Sequence, residues 1–416
     1  MTPQNIKSQN IPNLNTNISN NYFLNTLSII LGASIATSTS IMSISYTLVV
    51  ILILFKLFIK KFHLNANHKL EFISLIKSQK FVMSSLLFYL IFVIFSIFNY
   101  QNPNDVYHML SKIIAYLLSP IFFIYFTQEK NRFYFLLGFI IGVILATLAS
   151  YIAYIFNLHI LMGAKDSAWV VFHDHILHNT FLAIASAILL LIAFDKKTSL
   201  NLKYSCIILH IILAINILFI VNGRTGQIIY LIITAFIIVR KFHLKGLIYL
   251  LISSMIIAPI LYHSTVIQQG IANYKRDIAL YNNGEYHTSM AARKIFHKVS
   301  NQLIKEHPLL GYGTGSFARV YANYANKHKL QPLTNNPHRD ILWIAVETGI
   351  FGCIIFMLML FSLILQLFKL DSFHKNLGFV LLITYILASL ENSFFIDNVT
   401  SISFMLLTCS IIRNLE

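Results

Sequence analysis

Long apolar stretches follow one another along most of this sequence, and they restrict what the chain can fold into. A helix that crosses the hydrocarbon core of a bilayer needs about 20 mostly apolar residues. Twelve stretches approach that length, although the first, second and eighth are short or poorly separated. They cover residues 22–37, 40–55, 81–100, 107–126, 133–157, 178–194, 204–221, 226–239, 246–262, 341–367, 377–391 and 399–412. The sequence therefore predicts an all-α polytopic membrane protein with about twelve transmembrane helices.

The charged residues exclude soluble protein classes and predict an orientation in the membrane. They make up 11% of the chain, whereas about 25% is usual in soluble proteins. The net charge of +16 would suggest a nucleic-acid partner in a soluble protein. With a cytoplasmic N-terminus, however, eighteen of the 31 Lys and Arg residues fall in inner loops, and the short outer loops hold only Lys165 and Arg224. Because basic residues accumulate in cytoplasmic loops, we expect both termini inside and no nucleic-acid partner.

This topology divides the chain into four parts. Residues 1–20, rich in Asn, Ser and Thr, are expected to form a flexible cytoplasmic tail. Nine transmembrane helices are expected within residues 21–262 and three within 341–416, and the long outer loop between them covers residues 263–340. That loop is the only soluble-like part of the sequence, so candidate functional residues are sought there and in the short outer loops.

The sequence predicts one amphipathic helix in the long outer loop. Thr288 or Ser289 can cap its start, and the helical pattern continues to about Glu306. Apolar residues recur every four positions on one face of this helix, with basic residues beside them. They are Ile295, Val299 and Leu303, flanked by Phe296 and Ile304. We expect this helix to lie on the membrane surface, with its lysines near anionic headgroups.

A glycine-rich turn follows the helix. Pro308 ends the helical pattern, and Gly311, Gly313 and Gly315 come after it. The amides of such a turn can bind phosphate oxygens, but the Lys-Ser/Thr pair of a nucleotide-binding loop does not follow. A close-packed turn is the favoured interpretation, and a phosphate contact stays open.

Several polar residues lie at the predicted outer boundary of the membrane. Arg224 occupies a loop of about four residues, where it can bind a phosphate group or reach lipid headgroups. His338 comes just before the tenth apolar stretch, and a histidine there is more often a hydrogen-bonded interfacial residue than a catalyst. The cluster of His173, Asp174, His175 and His178 can be read as a metal site or as interfacial histidines, and the second reading is favoured.

Three motifs occur together in a fixed order. They are an Arg in a tight outer loop, an Arg-x-x-aromatic helix followed by Pro-x-x-Gly-x-Gly, and a His before a helix that contains Glu-x-Gly-x-x-Gly. The stretches that carry them are residues 222–226, 293–315 and 337–352. With this set, the chain resembles the bacterial O-antigen ligase family, which is related to O-antigen polymerases and protein O-oligosaccharyltransferases.

The resemblance implies a glycosyltransferase of the bacterial inner membrane that acts at its periplasmic face. The enzyme would transfer a glycan from undecaprenyl diphosphate to a hydroxyl of lipid A–core, without a metal or other cofactor. Arg224 and Arg293 would bind the donor diphosphate, and His338 would accept the proton of the hydroxyl. Supporting residues would be Arg339, Asp340, Gly311, Gly313 and Gly315. The partners are therefore the two lipid substrates and the surrounding membrane lipids.

Two positions depart from the family pattern, and the reaction leaves alternatives open. Arg339 stands where the family usually has Asn or another small polar residue, and Phe296 stands where it often has Trp. No carboxylate nucleophile is evident, which favours one inverting displacement, although Asp340 and Glu347 keep a covalent route open. The alternative functions are a polymerase or a protein glycosylating enzyme of the same superfamily, and a non-enzymatic glycolipid transporter.

Overall fold

The computed structural model describes residues 22–63, 79–158 and 169–412. Within these ranges the chain forms helices and no strands, which confirms the all-α prediction. The tail predicted for residues 1–20 lies outside the described residues. The same holds for several loop lysines behind the predicted orientation, among them Lys69 and Lys165.

Eleven of the described helices precede residue 263. They are α1 (Tyr22–Thr37), α2 (Thr39–His63), α3 (Lys80–Phe95), α4 (Pro103–Lys112), α5 (Ile114–Leu117), α6 (Ser119–Tyr125), α7 (Glu129–Ile155), α8 (His175–Phe194), α9 (Leu200–Ile215), α10 (Arg224–Phe242) and α11 (Leu244–Tyr262). A 3₁₀ turn, Ser96–Asn99, extends α3, and a π-helical turn, Asn216–Ile220, extends α9.

Six further helices follow within the described part of the chain. Segment 263–340 contains α12 (Thr265–Asn282), α13 (Ser289–Glu306) and α14 (Phe317–Lys327). The last part contains α15 (Asp340–Leu367), α16 (Ser372–Ser389) and α17 (Asn398–Ile412). A loop of eight residues, 390–397, joins α16 to α17, and we refer to it as the 390–397 loop.

Eight helices in the described residues are long and apolar enough to cross a membrane, so the chain is a multi-pass membrane protein. They are α2, α3, α7, α8, α9, α10, α11 and α15, with α3 and α9 counted together with their extensions. The shorter apolar helices α1 and α17 coincide with two more predicted stretches, and α16 with another. The number of twelve crossings stays a prediction.

The stretch predicted as one span at residues 107–126 is divided into the three short helices α4, α5 and α6. The breaks fall at Ile113 and Leu118. Pro120 lies in the first turn of α6. Proline is tolerated in the first turn of a helix but lacks the N–H that would continue a preceding one. The chain therefore restarts its helix here instead of running straight through.

Segment 263–340 confirms the predicted helix and corrects its environment. Helix α13 covers Ser289–Glu306, with Thr288 at the N-cap position. Its apolar face is enclosed by protein, since Ile295, Val299 and Leu303 are 2%, 1% and 2% exposed. That face packs against α14 and α15, and Phe296 makes an edge-to-face contact with Tyr321 at 5.9 Å. The expectation that α13 lies on the membrane surface is therefore wrong, because helices later in the chain cover its apolar side.

Candidate functional site

Arg224 is the first residue of α10, and three residues separate it from the π-helical turn that extends α9. Buried side chains fix that turn. Asn216 bonds both His178, at 3.0 Å, and the Ser150 hydroxyl, also at 3.0 Å, and Gln227 donates to the Ile217 carbonyl at 3.2 Å. The Arg224 Nη1 atom is buried and has no hydrogen-bond partner. The bonded turn thus precedes a guanidinium group that has one buried nitrogen without a hydrogen-bond partner in the protein.

Arg293 lies half-buried on α13, and its electrostatic surroundings include Arg224. Burial lowers the pKa of the Arg293 guanidinium, Glu391 opposes this by raising it, and the positive charge of Arg224 lowers it further. The Arg293 Nη1 atom lies 3.7 Å from the Glu391 carboxylate. Two guanidinium groups from distant parts of the chain therefore lie close enough to repel each other, and an anion between them would relieve that repulsion.

His338 is held in an unusual backbone conformation just before α15. Its φ is +54°, a left-handed value that is uncommon for residues other than glycine. The Asn336 side-chain oxygen stabilises this turn, since it accepts from the His338 N–H at 2.7 Å and from the Ser393 hydroxyl at 2.7 Å. The imidazole stacks on Phe296, with ring centroids 5.8 Å apart and planes 20° apart. The aromatic residue of the loop helix therefore positions the histidine ring.

The proton arrangement on His338 follows from its hydrogen bond. Its Nδ1 atom lies 3.1 Å from the Asn392 side-chain oxygen. Because an amide oxygen only accepts, we assign the proton to Nδ1, which leaves a lone pair on Nε2. Burial lowers the pKa of His338, the Asn392 bond raises it, and the charge of Arg293 lowers it. The net effect favours the neutral imidazole, which is the form that can accept a proton.

His297 joins this cluster and was not singled out in the sequence. It lies one turn after Arg293, on the same face of α13. Burial, together with the charges of Arg339, Arg293 and His338, lowers the pKa of His297 to about 4, and a hydrogen bond to the Pro337 carbonyl opposes this shift. Its Nε2 atom is buried without a partner. The spacing of four residues from Arg293 was the signal that could have identified it.

Arg339 and Asp340 connect the site to the 390–397 loop. The Arg339 Nε atom donates to the Leu390 carbonyl at 3.0 Å. The Asp340 carboxylate is 1% exposed and accepts from the backbone N–H groups of Phe395, at 3.0 Å, and Ile396, at 3.1 Å. These two residues therefore anchor a loop, and Asp340 does not face the site as a nucleophile.

Glu347 has a comparable structural role beneath the glycine turn. Its carboxylate accepts from the N–H groups of Gly315 at 2.8 Å, Phe317 at 3.4 Å and the Trp343 indole at 2.8 Å. It is 1% exposed. Both carboxylates that kept a covalent route open are thus occupied by N–H donors inside the protein.

The glycine turn packs onto α15 and presents no free amide. Each N–H from residue 311 to residue 317 donates to a protein oxygen. Gly315 has φ +78°, and a Cβ there would lie 2.4 Å from the Asp105 carbonyl oxygen. A Cβ on Gly311 would lie 2.6 Å from the Val346 carbonyl oxygen. Close packing therefore accounts for Gly311, Gly313 and Gly315, which agrees with the interpretation favoured from the sequence and leaves no amide of this turn for the phosphate contact that stayed open.

The outer cluster of histidines near residue 175 has structural partners. Asp174 caps α8 by accepting from the N–H groups of Ile176 and Leu177, at 2.8 and 3.1 Å. His173 lies 3.0 Å from the Ile35 carbonyl, and His178 bonds Asn216. Across residues 22–63, 79–158 and 169–412, no group of three His, Cys, Asp or Glu side chains is arranged to hold a metal ion. His173, Asp174 and His178 therefore have hydrogen-bond partners within the protein, and their position at a membrane interface stays a prediction.

The 390–397 loop contributes to the site through several consecutive residues. Glu391 pairs with Arg293, Asn392 with His338 and Ser393 with Asn336. In the sequence, residue 391 ends a predicted transmembrane stretch, and no motif indicates a role for the loop that follows. Only the folded chain brings it beside residues that lie about 55 to 100 positions earlier.

The chain is similar to known proteins in the region that contains the three motifs. Residues 209–357, which include Arg224, Arg293 and His338, match the family model described as O-Antigen ligase. Two proteins named "Putative polysaccharide ligase" are similar to parts of the chain. The one from Rickettsia conorii is 34% identical over 103 residues, which is 23% of this chain and 25% of the relative. The one from Rickettsia felis is 34% identical over 89 residues, covering 20% and 22%. The alignments thus span about a quarter of the length of these relatives.

Proposed function

We propose that this chain is a glycosyltransferase that attaches a lipid-linked glycan to a lipid acceptor, since its residues 209–357 match the O-antigen ligase family model. The donor is a glycan on undecaprenyl diphosphate, and the acceptor is a hydroxyl of lipid A–core at the periplasmic face of the inner membrane. The observation that carries the proposal is the convergence of Arg224, Arg293 and His338 from three separate parts of the chain.

The two arginines bind the donor diphosphate in this proposal. A diphosphate leaving group gains negative charge as the glycosidic C–O bond breaks, and preorganised cations in a water-poor site stabilise that charge. The planar guanidinium groups of Arg224 and Arg293 can each bind phosphate oxygens in a bidentate manner. The positive charge of Arg224 lowers the pKa of Arg293, and a diphosphate bound by both groups would reduce their repulsion. No metal ion or other cofactor is needed for this charge stabilisation.

His338 serves as the general base. An alcohol is a weak acid, so a positioned proton acceptor increases its nucleophilicity. The Nε2 lone pair of His338 takes the hydroxyl proton while the acceptor oxygen bonds to the anomeric carbon. The bond from that carbon to the diphosphate oxygen breaks in the same step, which inverts the anomeric centre. The buried, fully bonded carboxylates of Asp340 and Glu347 support this single displacement over a covalent enzyme intermediate.

The orientation of the site in the membrane is part of the same proposal. The predicted twelve crossings with both termini in the cytoplasm put Arg224, segment 263–340 and the 390–397 loop on one side, the periplasmic side. The contacts of Arg293 and His338 with the 390–397 loop support this common placement. A labelling experiment with membrane-impermeant thiol reagents on introduced cysteines would test it.

The decisive cellular test is the His338→Ala variant in a strain that lacks the native gene. We expect lipopolysaccharide gels to show core without O-antigen, while glycan accumulates on its lipid carrier. The control is His287→Ala, since the His287 side chain is 68% exposed in the same segment. Full-length O-antigen ladders from His338→Ala would refute the proposal. Core bearing a single repeat would instead identify a polymerase of the same superfamily.

A further inference from the structure

We infer that Asn392 is a positioning residue for the proposed reaction, because its side-chain oxygen fixes the His338 ring with Nε2 free to accept the proton of the acceptor hydroxyl. The inference rests on the proposed role of His338 as the base. It assigns a role to the 390–397 loop, which carries none of the three family motifs.

The geometry supports a directed contact. The Asn392 side-chain oxygen lies 3.1 Å from His338 Nδ1. The Phe296 ring stacks on the face of the imidazole and limits its rotation out of plane. A hydrogen bond to one ring nitrogen determines which nitrogen carries the proton, and thus which one can act as a base. With Nδ1 donating to Asn392, the basic lone pair is on Nε2.

The loop that carries Asn392 is itself held in place. The Asp340 carboxylate accepts two N–H groups from residues 395 and 396, and the Ser393 hydroxyl donates to Asn336 at 2.7 Å. Asn336 also accepts the backbone N–H of His338. The backbone of His338 and the neighbour of Asn392, Ser393, therefore share the Asn336 side-chain oxygen, in addition to the direct contact between the His338 and Asn392 side chains.

The charges around His338 explain why a neutral partner suits this position. Arg293 and His297 face the ring from α13, Arg339 follows it in sequence, and Glu391 contributes the nearby negative charge of the loop. An amide orients the ring without adding a full negative charge. A carboxylate in its place would stabilise the imidazolium, and more of the histidine would be protonated at neutral pH. Asn392 therefore provides orientation and keeps the base in its neutral form.

The test compares two substitutions of Asn392 in the full-length purified protein, with transfer rates measured across pH. Asn392→Asp adds a negative charge beside Nδ1, so the pKa of His338 rises and the acidic limb of the kcat profile moves to higher pH by about one unit. Asn392→Ala removes a bond that raises this pKa, so the limb moves to lower pH and kcat at the plateau falls about tenfold. The KM for the donor stays near the wild-type value in both variants.

The control and the contradicting results are specific. Asn398→Ala removes another amide near the loop, one that donates to the Ser111 carbonyl at 3.1 Å, and we expect an unchanged pH profile. Shifts of the acidic limb in opposite directions for Asn392→Asp and Asn392→Ala support the inference, because a merely structural loss would not produce them. Wild-type profiles for both variants, together with an inactive His338→Ala protein, would overturn the role of Asn392 and leave the proposed function intact. An active His338→Ala protein would overturn both.

Discussion

The glycine turn at residues 311–317 and the cluster formed by Arg224, Arg293, His297 and His338 use their polar groups in opposite ways. In the turn, each backbone N–H and both oxygens of the underlying Glu347 carboxylate have a protein partner. In the cluster, Arg224 Nη1 and His297 Nε2 are buried without one. Buried polar groups are normally hydrogen-bonded, so unsatisfied ones point to a function.

This difference distinguishes a structural turn from the proposed reactive site, although the same set of sequence motifs contains both. Both regions belong largely to the stretches that carry the resemblance to the family, and the sequence already favoured a close-packed turn for the first and implied substrate contacts for the second. Substitutions in the turn should affect folding through shape, whereas substitutions in the cluster should affect transfer through charge and hydrogen bonding. The following predictions test that separation, starting with the largest effect.

Gly315→Ala should have the largest effect on stability. Its Cβ would lie 2.4 Å from the Asp105 carbonyl oxygen, and its φ of +78° disfavours any other residue. We expect a loss of about 3 kcal/mol or more in the free energy of unfolding, from overpacking together with backbone strain. Thermal unfolding of the detergent-purified protein measures it. The matched control is Gly284→Ala, where φ is +81° but no atom lies within 4 Å, so only the strain of about 1 kcal/mol applies. Equal stability of the two variants would contradict the close-packing account.

Arg293→Lys should leave the fold intact and impair transfer. The substitution keeps one positive charge but loses the planar, bidentate guanidinium. We expect kcat/KM for the donor to fall about 100-fold, with thermal stability near that of the wild type. The comparison variant is Lys298→Arg, an exposed basic residue on the same helix, which should transfer at the wild-type rate. If Arg293→Lys retained full activity, bidentate phosphate binding at this position would be disproved.

Glu347→Gln should reduce stability and spare the chemistry. The amide can still accept at one oxygen, but its NH₂ group then faces an N–H donor of the turn or of Trp343. Leaving such a buried group unsatisfied costs about 1–3 kcal/mol. Folded protein should transfer glycan at the wild-type rate, and the control Glu306→Gln, which alters an exposed bond to Tyr312, should be nearly neutral. If the Glu347→Gln protein were inactive but fully stable, Glu347 would have a role in the reaction and not only in the stability of the turn.

Glu391→Gln should have the smallest effect, and it should improve donor binding. Glu391 lies 3.7 Å from Arg293 and is 42% exposed, so it competes only weakly with a diphosphate for the same guanidinium. Exposed ion pairs contribute at most about 1 kcal/mol, which predicts a donor KM lowered about threefold with kcat unchanged. Steady-state kinetics at varied donor concentration measures it, with Glu285→Gln as the control. A higher donor KM would show that Glu391 supports donor binding instead.

The apolar stretches predicted the helices well because hydrophobicity along a helix is a local property. The exception, residues 107–126, is divided where Pro120 and two helix ends interrupt the stretch. Arg224, Arg293 and His338 were proposed from the sequence because their motifs resemble those of a known family, and their functional roles stay a prediction. His297 and Asn392 were missed because their roles depend on contacts between distant segments. The membrane-surface prediction for α13 failed for the same reason, as its apolar face is covered by α14 and α15.

The most direct test of the central claim is glycan transfer by the purified protein in liposomes that contain undecaprenyl-diphosphate-linked glycan and lipid A–core. The wild-type protein should attach the glycan to lipid A–core. His338→Ala should show no transfer above background while it still binds the donor and unfolds at the wild-type temperature. Transfer by His338→Ala at the wild-type rate, or an inactive wild-type protein with both lipids present, would contradict the assignment of the arginine and histidine cluster as the site of transfer.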